Sequence, residues 1–290
     1  MALDDLPALP PLLHPGAADY ARRALAATGA VMGRCRVVAD QPYGSDYWQK
    51  ADVYLPDAQP GPLPVLLYFH GGAWMNGYKE WMGYLAPPVL AMPAVFVSAS
   101  YRLAPSVGMA QIVDDCVAAL RWVHEHVAAL GGDPGRIAVG GHSAGGHLAA
   151  VLALRPELCR DAGLPANVVK ACLPSSAPLD LDFLQRPAAE ADRRMQAALG
   201  GDLDAWSPAR HVAGNTVPFH VAWGEHDFPR TREQNPAFVR ALAAQPGARV
   251  TWQVLPGDHF TSHEACADPG GEWPRVAGRL LSTLTTGNPQ

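Results

Sequence analysis

The chain has 290 residues, 49% of them hydrophobic and 17% charged, with a formal net charge of −5. That is the composition of a globular domain with a sizeable core, and it excludes a disordered chain. The acidic balance and the lack of a basic run exclude nucleic acid as a partner, and no stretch of ~18 apolar residues is present to span a membrane.

The first 33 residues are rich in proline and fit no regular element, and the start Met1-Ala2-Leu3-Asp4-Asp5 is acidic where a signal peptide is basic. Val65–Phe69 and Ala94–Ser98 are nearly all-apolar runs, which predicts buried strands of a mostly parallel sheet. Between 112 and 130, Ile112, Val113, Cys116, Val117, Leu120, Val123, Val127 and Leu130 mark one apolar helical face. Asp114 and Asp115 lie in its early turns, suited to the positive end of the helix dipole, and Gly131-Gly132 with Pro134 stop it. Further strands are expected at Ile137–Val139, Val168–Leu173, Phe219–Trp223 and Val250–Leu255, with helices at His147–Leu154, about 233–245 and about 273–285. Strands alternating with helices define an α/β fold, a mostly parallel sheet covered on both faces. We expect one domain over 1–290, with residues 1–33 and 175–215 as a small cap over the sheet's C-terminal edge, where open α/β sheets place their sites.

Between the Ile137–Val139 strand and the helix that follows stands Gly141-His142-Ser143-Ala144-Gly145. A serine between glycines at a strand-to-helix turn is a nucleophile elbow, which holds the hydroxyl at the tip of a tight turn. Acyl transfer by such a serine needs a base, an orienting acid and oxyanion donors. Asp227 lies just past one expected strand and His259 just past the next, so the chain order is Ser143, Asp227, His259. Glu225 and Asp258 adjoin these positions, and Asp180 and Asp182 fall in the suspected cap, so all four are weaker choices for the acid. His226 is the chief rival base; His142 and His147 flank the elbow rather than approach it from a separate loop. His70-Gly71-Gly72-Ala73-Trp74 follows the Val65–Phe69 strand, and its glycines let the backbone pass close to a substrate. The amides of Gly72 and Ala73, with that of Ala144, are the expected oxyanion donors, each worth about 3–4 kcal/mol in the transition state. Trp74, Tyr78, Phe228 and Phe260 are expected to line an aromatic substrate pocket, with Trp81, Tyr84 and Phe183 near it.

These segments resemble the α/β-hydrolase fold and, within it, the group of kynurenine formamidases (arylformamidases) and hormone-sensitive-lipase-like esterases. His70-Gly71-Gly72-Ala73-Trp74 is similar to the H-G-G-x-W motif of kynurenine formamidases; Trp74 tilts the resemblance that way, since the lipase-like motif is usually H-G-G-G. Tyr101-Arg102-Leu103-Ala104-Pro105, the elbow through Ala149, Trp223–Asp227 and Asp258-His259-Phe260 resemble segments of the wider group. The resemblance covers about residues 40 to 285. It implies Ser143, Asp227 and His259 as a triad, Gly72 and Ala73 as oxyanion donors, and hydrolysis of a small-molecule amide or ester with no metal and no organic cofactor. Three activities compete: an arylformamidase acting on N-formylkynurenine or a similar formanilide, a carboxylesterase for short acyl or aryl esters, and a non-catalytic binding protein. An intact His259 weighs against the third. Arg102, Arg186 and Arg193 are the available cations for a charged substrate. The five scattered cysteines (35, 116, 159, 172, 266) have no C-x-x-C spacing and read as reduced thiols of a cytoplasmic protein. A homodimer is compatible with the sequence.

Overall fold

The computed structural model describes residues 5–58 and 61–284. Residues 1–4 of the expected cap, the end of the last expected helix at 285, and 286–290 of the expected domain lie outside the described residues.

In chain order the elements are α1 (Ala17–Met32), β1 (Arg36–Pro42), β2 (Lys50–Leu55), β3 (Leu63–Phe69), α2 (Ala86–Ala91), β4 (Val95–Ala99) and α3 (Met109–His126). They continue with β5 (Gly132–His142), α4 (Ala144–Leu154), α5 (Pro156–Asp161), β6 (Val169–Ser175), α6 (Asp182–Gln185) and α7 (Glu190–Leu199). Last come β7 (Phe219–His226), α8 (Pro229–Ala243), β8 (Val250–Asp258), α9 (Thr261–Ala265) and α10 (Glu272–Ser282).

The eight strands form one sheet in the order β1-β2-β4-β3-β5-β6-β7-β8. β2 is antiparallel to both β1 and β4, and every pairing from β4 through to β8 is parallel. β3 is buried along its whole length because helices cover both faces of the sheet. Val65, Leu67 and Phe69 pack with Ile112 and Leu120 of α3 and Leu148 of α4. Leu66 and Tyr68 point the other way, into a layer with Tyr20 of α1 and Trp273 of α10. This strand alternation gives each face its own core. Because six neighbouring strands, β4 through to β8 in the sheet order, run parallel, their C-terminal ends gather along one edge, and the loops leaving β3, β5, β7 and β8 share it.

Several elements differ from the expectation. The proline-rich start contains α1, whose Tyr20, Ala24 and Thr28 repeat every four residues and are buried as one stripe. The antiparallel strands β1 and β2 have no counterpart in the sequence reading, since β1 is only half-buried and mixes polar with apolar residues. α8 starts at Pro229, where a proline suits the first helical position because its missing N–H would have no intrahelical partner anyway. Asp115 does not serve the dipole of α3. It is buried against Arg102, whose guanidinium and backbone N–H both donate to it.

Candidate active site

The elbow is held by contacts that leave no room for side chains. Ser143 adopts φ 53° and ψ −121°, outside the regions a serine prefers. A Cβ on Gly141 would fall 2.2 Å from the Gly145 carbonyl carbon, and one on Gly145 would fall 2.1 Å from the Phe69 carbonyl oxygen. The Ser143 amide donates to the Ser175 carbonyl at 2.8 Å, pinning the turn to the end of β6. Ser143 is left partly exposed while its neighbours on both sides are buried.

His259 and Asp227 reach this hydroxyl from the next strand ends. His259 Nε2 lies 3.0 Å from Ser143 Oγ, and His259 Nδ1 lies 2.7 Å from Asp227 Oδ1. An ionised carboxylate only accepts, so Nδ1 carries the proton and Nε2 is free to accept from the serine hydroxyl. The backbone amides of Phe228 (2.7 Å) and Gly224 (3.2 Å) also donate to the Asp227 carboxylate. Burial works to raise the Asp227 carboxyl, but the hydrogen bond and charge of His259 outweigh it and hold it below its ordinary value. Phe228 stacks on the His259 ring at 4.2 Å and Phe260 meets it edge-on at 5.2 Å.

The rival residues are occupied elsewhere. The His226 side chain is 74% exposed and faces Glu225. Asp258 accepts from the amides of Phe260 and Thr261, and Asp180 pairs with Arg210. His142 donates from Nε2 to the His259 carbonyl at 2.9 Å, and its ring stacks on His263 at 4.1 Å. Burial, reinforced by the nearby His259, pushes His142 down to about 3. His263 sits among the hydroxyls of Tyr20, Tyr68 and Tyr84, all within 3.0 Å, and burial holds it well below its ordinary value. His142 therefore supports the loop that carries His259 and stays neutral.

After β3 the chain makes three successive positive-φ steps: Gly72 (121°), Ala73 (54°) and Trp74 (59°). The Gly72 carbonyl turns inward to accept from the amides of Met75 and Asn76. At Gly72 a Cβ would fall 2.0 Å from the Asn76 carbonyl oxygen, so only glycine fits. Gly72 and Ala73 border a cavity on one side of Ser143, and Ala73 and Ala144 border a second on the other.

The two cavities are unequal. The first, about 50 Å³, lies under the N-terminal segment and is walled by Leu12, Tyr20, Trp81 and Phe260. The second, about 400 Å³, is walled by Trp74, Phe183, Met195 and Phe228. Of the residues expected to line a substrate pocket, Phe260 borders the first cavity and Trp74 and Phe228 the second. Tyr78 does not: it is buried away from both cavities, stacked on Trp48, with its hydroxyl donating to the Pro7 carbonyl. A tyrosine a few residues past the oxyanion loop looks pocket-facing in sequence, but the loop doubles back and turns it under the N-terminal segment. Tyr84 is likewise buried, on His263. Arg102 is taken by Asp115, and Arg193 pairs with Glu190.

Three residues at the site escaped the sequence reading. His14 borders both cavities and packs against Phe228 with the rings tilted, centres 4.7 Å apart. Asp192 and Arg230 border the larger cavity as an ion pair. No local signal marks them: His14 stands in an irregular run, and the ion pair joins residues 38 positions apart.

A mostly parallel sheet with this elbow, and with acid and base on later strand ends, is the α/β-hydrolase fold. The BD-FAE family model matches residues 51–242, and the chain belongs to that family. Carboxylesterase NlhH of Mycobacterium tuberculosis is 46% identical over 117 residues, 40% of this chain and 36% of that protein, so the chain spans about a third of the length of that relative. Kynurenine formamidase of Salmo salar is 27% identical over 247 residues, covering 83% of this chain and 81% of that protein. Among solved structures, EstE1, a thermostable carboxylesterase cloned from a metagenomic library, is 26% identical with a TM-score of 0.71, covering 92% of this chain and 96% of its own. Among the described residues no helix is long and apolar enough to cross a membrane.

Proposed function

We propose that the chain is a serine hydrolase acting as an arylformamidase, which releases formate from N-formylkynurenine or a similar formanilide. In this reading His259 Nε2 takes the Ser143 proton as the hydroxyl oxygen attacks the formyl carbon. Asp227 holds the imidazole tautomer and stabilises the imidazolium. The negative charge developing on oxygen settles among the amides of Gly72, Ala73 and Ala144. His259 then protonates the departing aniline nitrogen, and water hydrolyses the formyl-enzyme by the reverse proton path.

The observation that carries the formamide reading is the inequality of the cavities on either side of Ser143. The cavity of about 50 Å³ is much the tighter of the two and suits a short acyl unit. The 400 Å³ cavity, with its aromatic walls, takes an aryl leaving group. The similarity to kynurenine formamidases over most of both chains supports the same direction. The test is kcat/KM for N-formylkynurenine beside acetyl, butyryl and octanoyl p-nitrophenyl esters. We expect the formamide to exceed every ester and the esters to fall with acyl length; ester hydrolysis with no formate release overturns the reading.

A second reading is a short-chain carboxylesterase. It is favoured by the likeness to NlhH and EstE1, because the same triad and small acyl cavity serve an acetyl ester. We also infer residence in a reducing compartment such as the cytoplasm, supported by five free cysteines, four of them buried.

A further inference from the structure

Beside His259, the charged pair Asp192 and Arg230 faces the larger cavity, and the proposed chemistry does not use it. Asp192 lies on α7 and Arg230 in the first turn of α8. Arg230 donates side by side, Nη1 to Oδ1 at 3.2 Å and Nη2 to Oδ2 at 2.9 Å. Its guanidinium carbon sits 3.6 Å from the centre of the Phe183 ring, a cation–π contact that fixes the plane of the fork. The rest of the wall is mostly apolar.

An ion pair in such a wall loses hydration that its own attraction does not fully replace, unless its remaining donors and acceptors are filled. These two bonds use two of about five guanidinium N–H groups and two of about four carboxylate lone-pair sites. The Asp192 side chain is only 5% exposed and Arg230 is 38% exposed, and both border the cavity. The unused sites therefore open to whatever occupies it.

We propose that Asp192 and Arg230 form a subsite for an α-amino-acid head group carried by the leaving group. The substrate carboxylate takes the free N–H groups of Arg230, and its ammonium takes the free lone pairs of Asp192. The charges then alternate around the ring of four groups, which neither a neutral nor a singly charged substrate reproduces. The reach is short. Arg230 is three residues past Asp227, so their Cα atoms are within about 11 Å. His14 borders the same cavity and packs against Phe228, with its ring centre 4.7 Å away. Ser143, Trp74, Phe228 and the pair line one cavity, so in this proposal the aromatic ring lies between Trp74 and Phe228 with its side chain directed at the pair.

The subsite rests on the arylformamidase reading for the direction in which the substrate extends, and binding tests it independently of turnover. The dissociation constants of L-kynurenine and 2-aminoacetophenone, which share a ring but differ in the amino-acid head, are measured by calorimetry on the full chain. We expect L-kynurenine to bind about tenfold or more tighter, and Arg230→Gln and Asp192→Asn each to collapse that preference towards one. Equal binding of the two ligands by the unaltered chain overturns the subsite. So does a preference that survives both substitutions, or a loss that falls equally on both ligands, which marks the pair as a clamp between α7 and α8. Selective L-kynurenine binding without formate release from N-formylkynurenine keeps the subsite and overturns the formamidase reading; formate release with equal binding does the reverse.

Discussion

The C-terminal edge of the sheet and the segments that roof it are built by different means. At the edge, each proposed catalytic residue is the first one past a strand: Ser143 follows β5, Asp227 follows β7 and His259 follows β8. Parallel pairing brings these strand ends together, so the site is assembled by the sheet and positioned by the turns. The roof, from residues 5–33 and 175–215, contributes single side chains such as His14, Phe183 and Asp192, which reach the site through packing between distant parts of the chain. In the proposed mechanism the chemistry falls to the strand ends, and the roof's side chains are proposed to set selectivity.

Substitutions at the edge should therefore abolish turnover, and those in the roof should redirect it. The largest effect is expected at the elbow: Ser143→Ala or His259→Ala lowers kcat by 10³-fold or more, and Asp227→Asn by roughly 10³–10⁴-fold, with little change in melting temperature. Steady-state kinetics on folded variants checks this; a Ser143→Ala enzyme with near-normal kcat breaks the mechanism.

Stability should separate the regions next. Gly145→Ala drives a Cβ into the Phe69 carbonyl and is expected to cost about 3 kcal/mol or more. Gly33→Ala, at the end of α1 with φ −75° and open space around it, should change stability by about 0.5 kcal/mol at most. Urea melts of both read the contrast, and equal losses would contradict it.

Phe260 stands on the edge but walls the small cavity against the roof's Leu12 and Tyr20. Phe260→Ala should raise the butyryl-to-acetyl ratio of ester kcat/KM by about tenfold, since a methylene in a fitted pocket is worth about 1–3 kcal/mol. An unchanged ratio means that the wall does not set acyl length.

Stability should also depend on pH. Burial pushes His70, His147 and His220 down to about 4 and His142 to about 3. Unfolding lets each bind a proton near pH 6.5 that the folded chain refuses, so stability is fully present above that pH and declines as pH falls towards 4. Each contributes at most about 1.4 kcal/mol per pH unit in that window. The Asp227 carboxyl, held low, adds stability that is lost only as pH falls below about 4. A melting temperature flat from pH 7 to 5 would refute the burial of these rings as neutral groups.

How far each region could be read in sequence follows from the same contrast. Gly141, Ser143 and Gly145 are demanded by contacts within a few residues or across one strand pair, so residue type alone announced the turn. The buried strands β3 to β6 showed as apolar runs because both faces are covered. β1 did not, since a half-buried edge strand need not be apolar, and β2, though buried, carries Lys50 and Asp52 among its apolar residues. α1 was hidden because prolines draw the eye and its buried face is narrow, carried by Tyr20, Ala24 and Thr28. Tyr78 misled because ring direction depends on the positive-φ steps at Gly72, Ala73 and Trp74 that precede it. The Asp192–Arg230 pair is a contact between two helices, which neither helix encodes by itself.

The most direct test of the central claim is intact-protein and peptide mass spectrometry after exposure to diethyl p-nitrophenyl phosphate. The account predicts one diethylphosphoryl group per chain, on Ser143, absent in Ser143→Ala and formed far more slowly in His259→Ala. Labelling at another residue, or none, would contradict it.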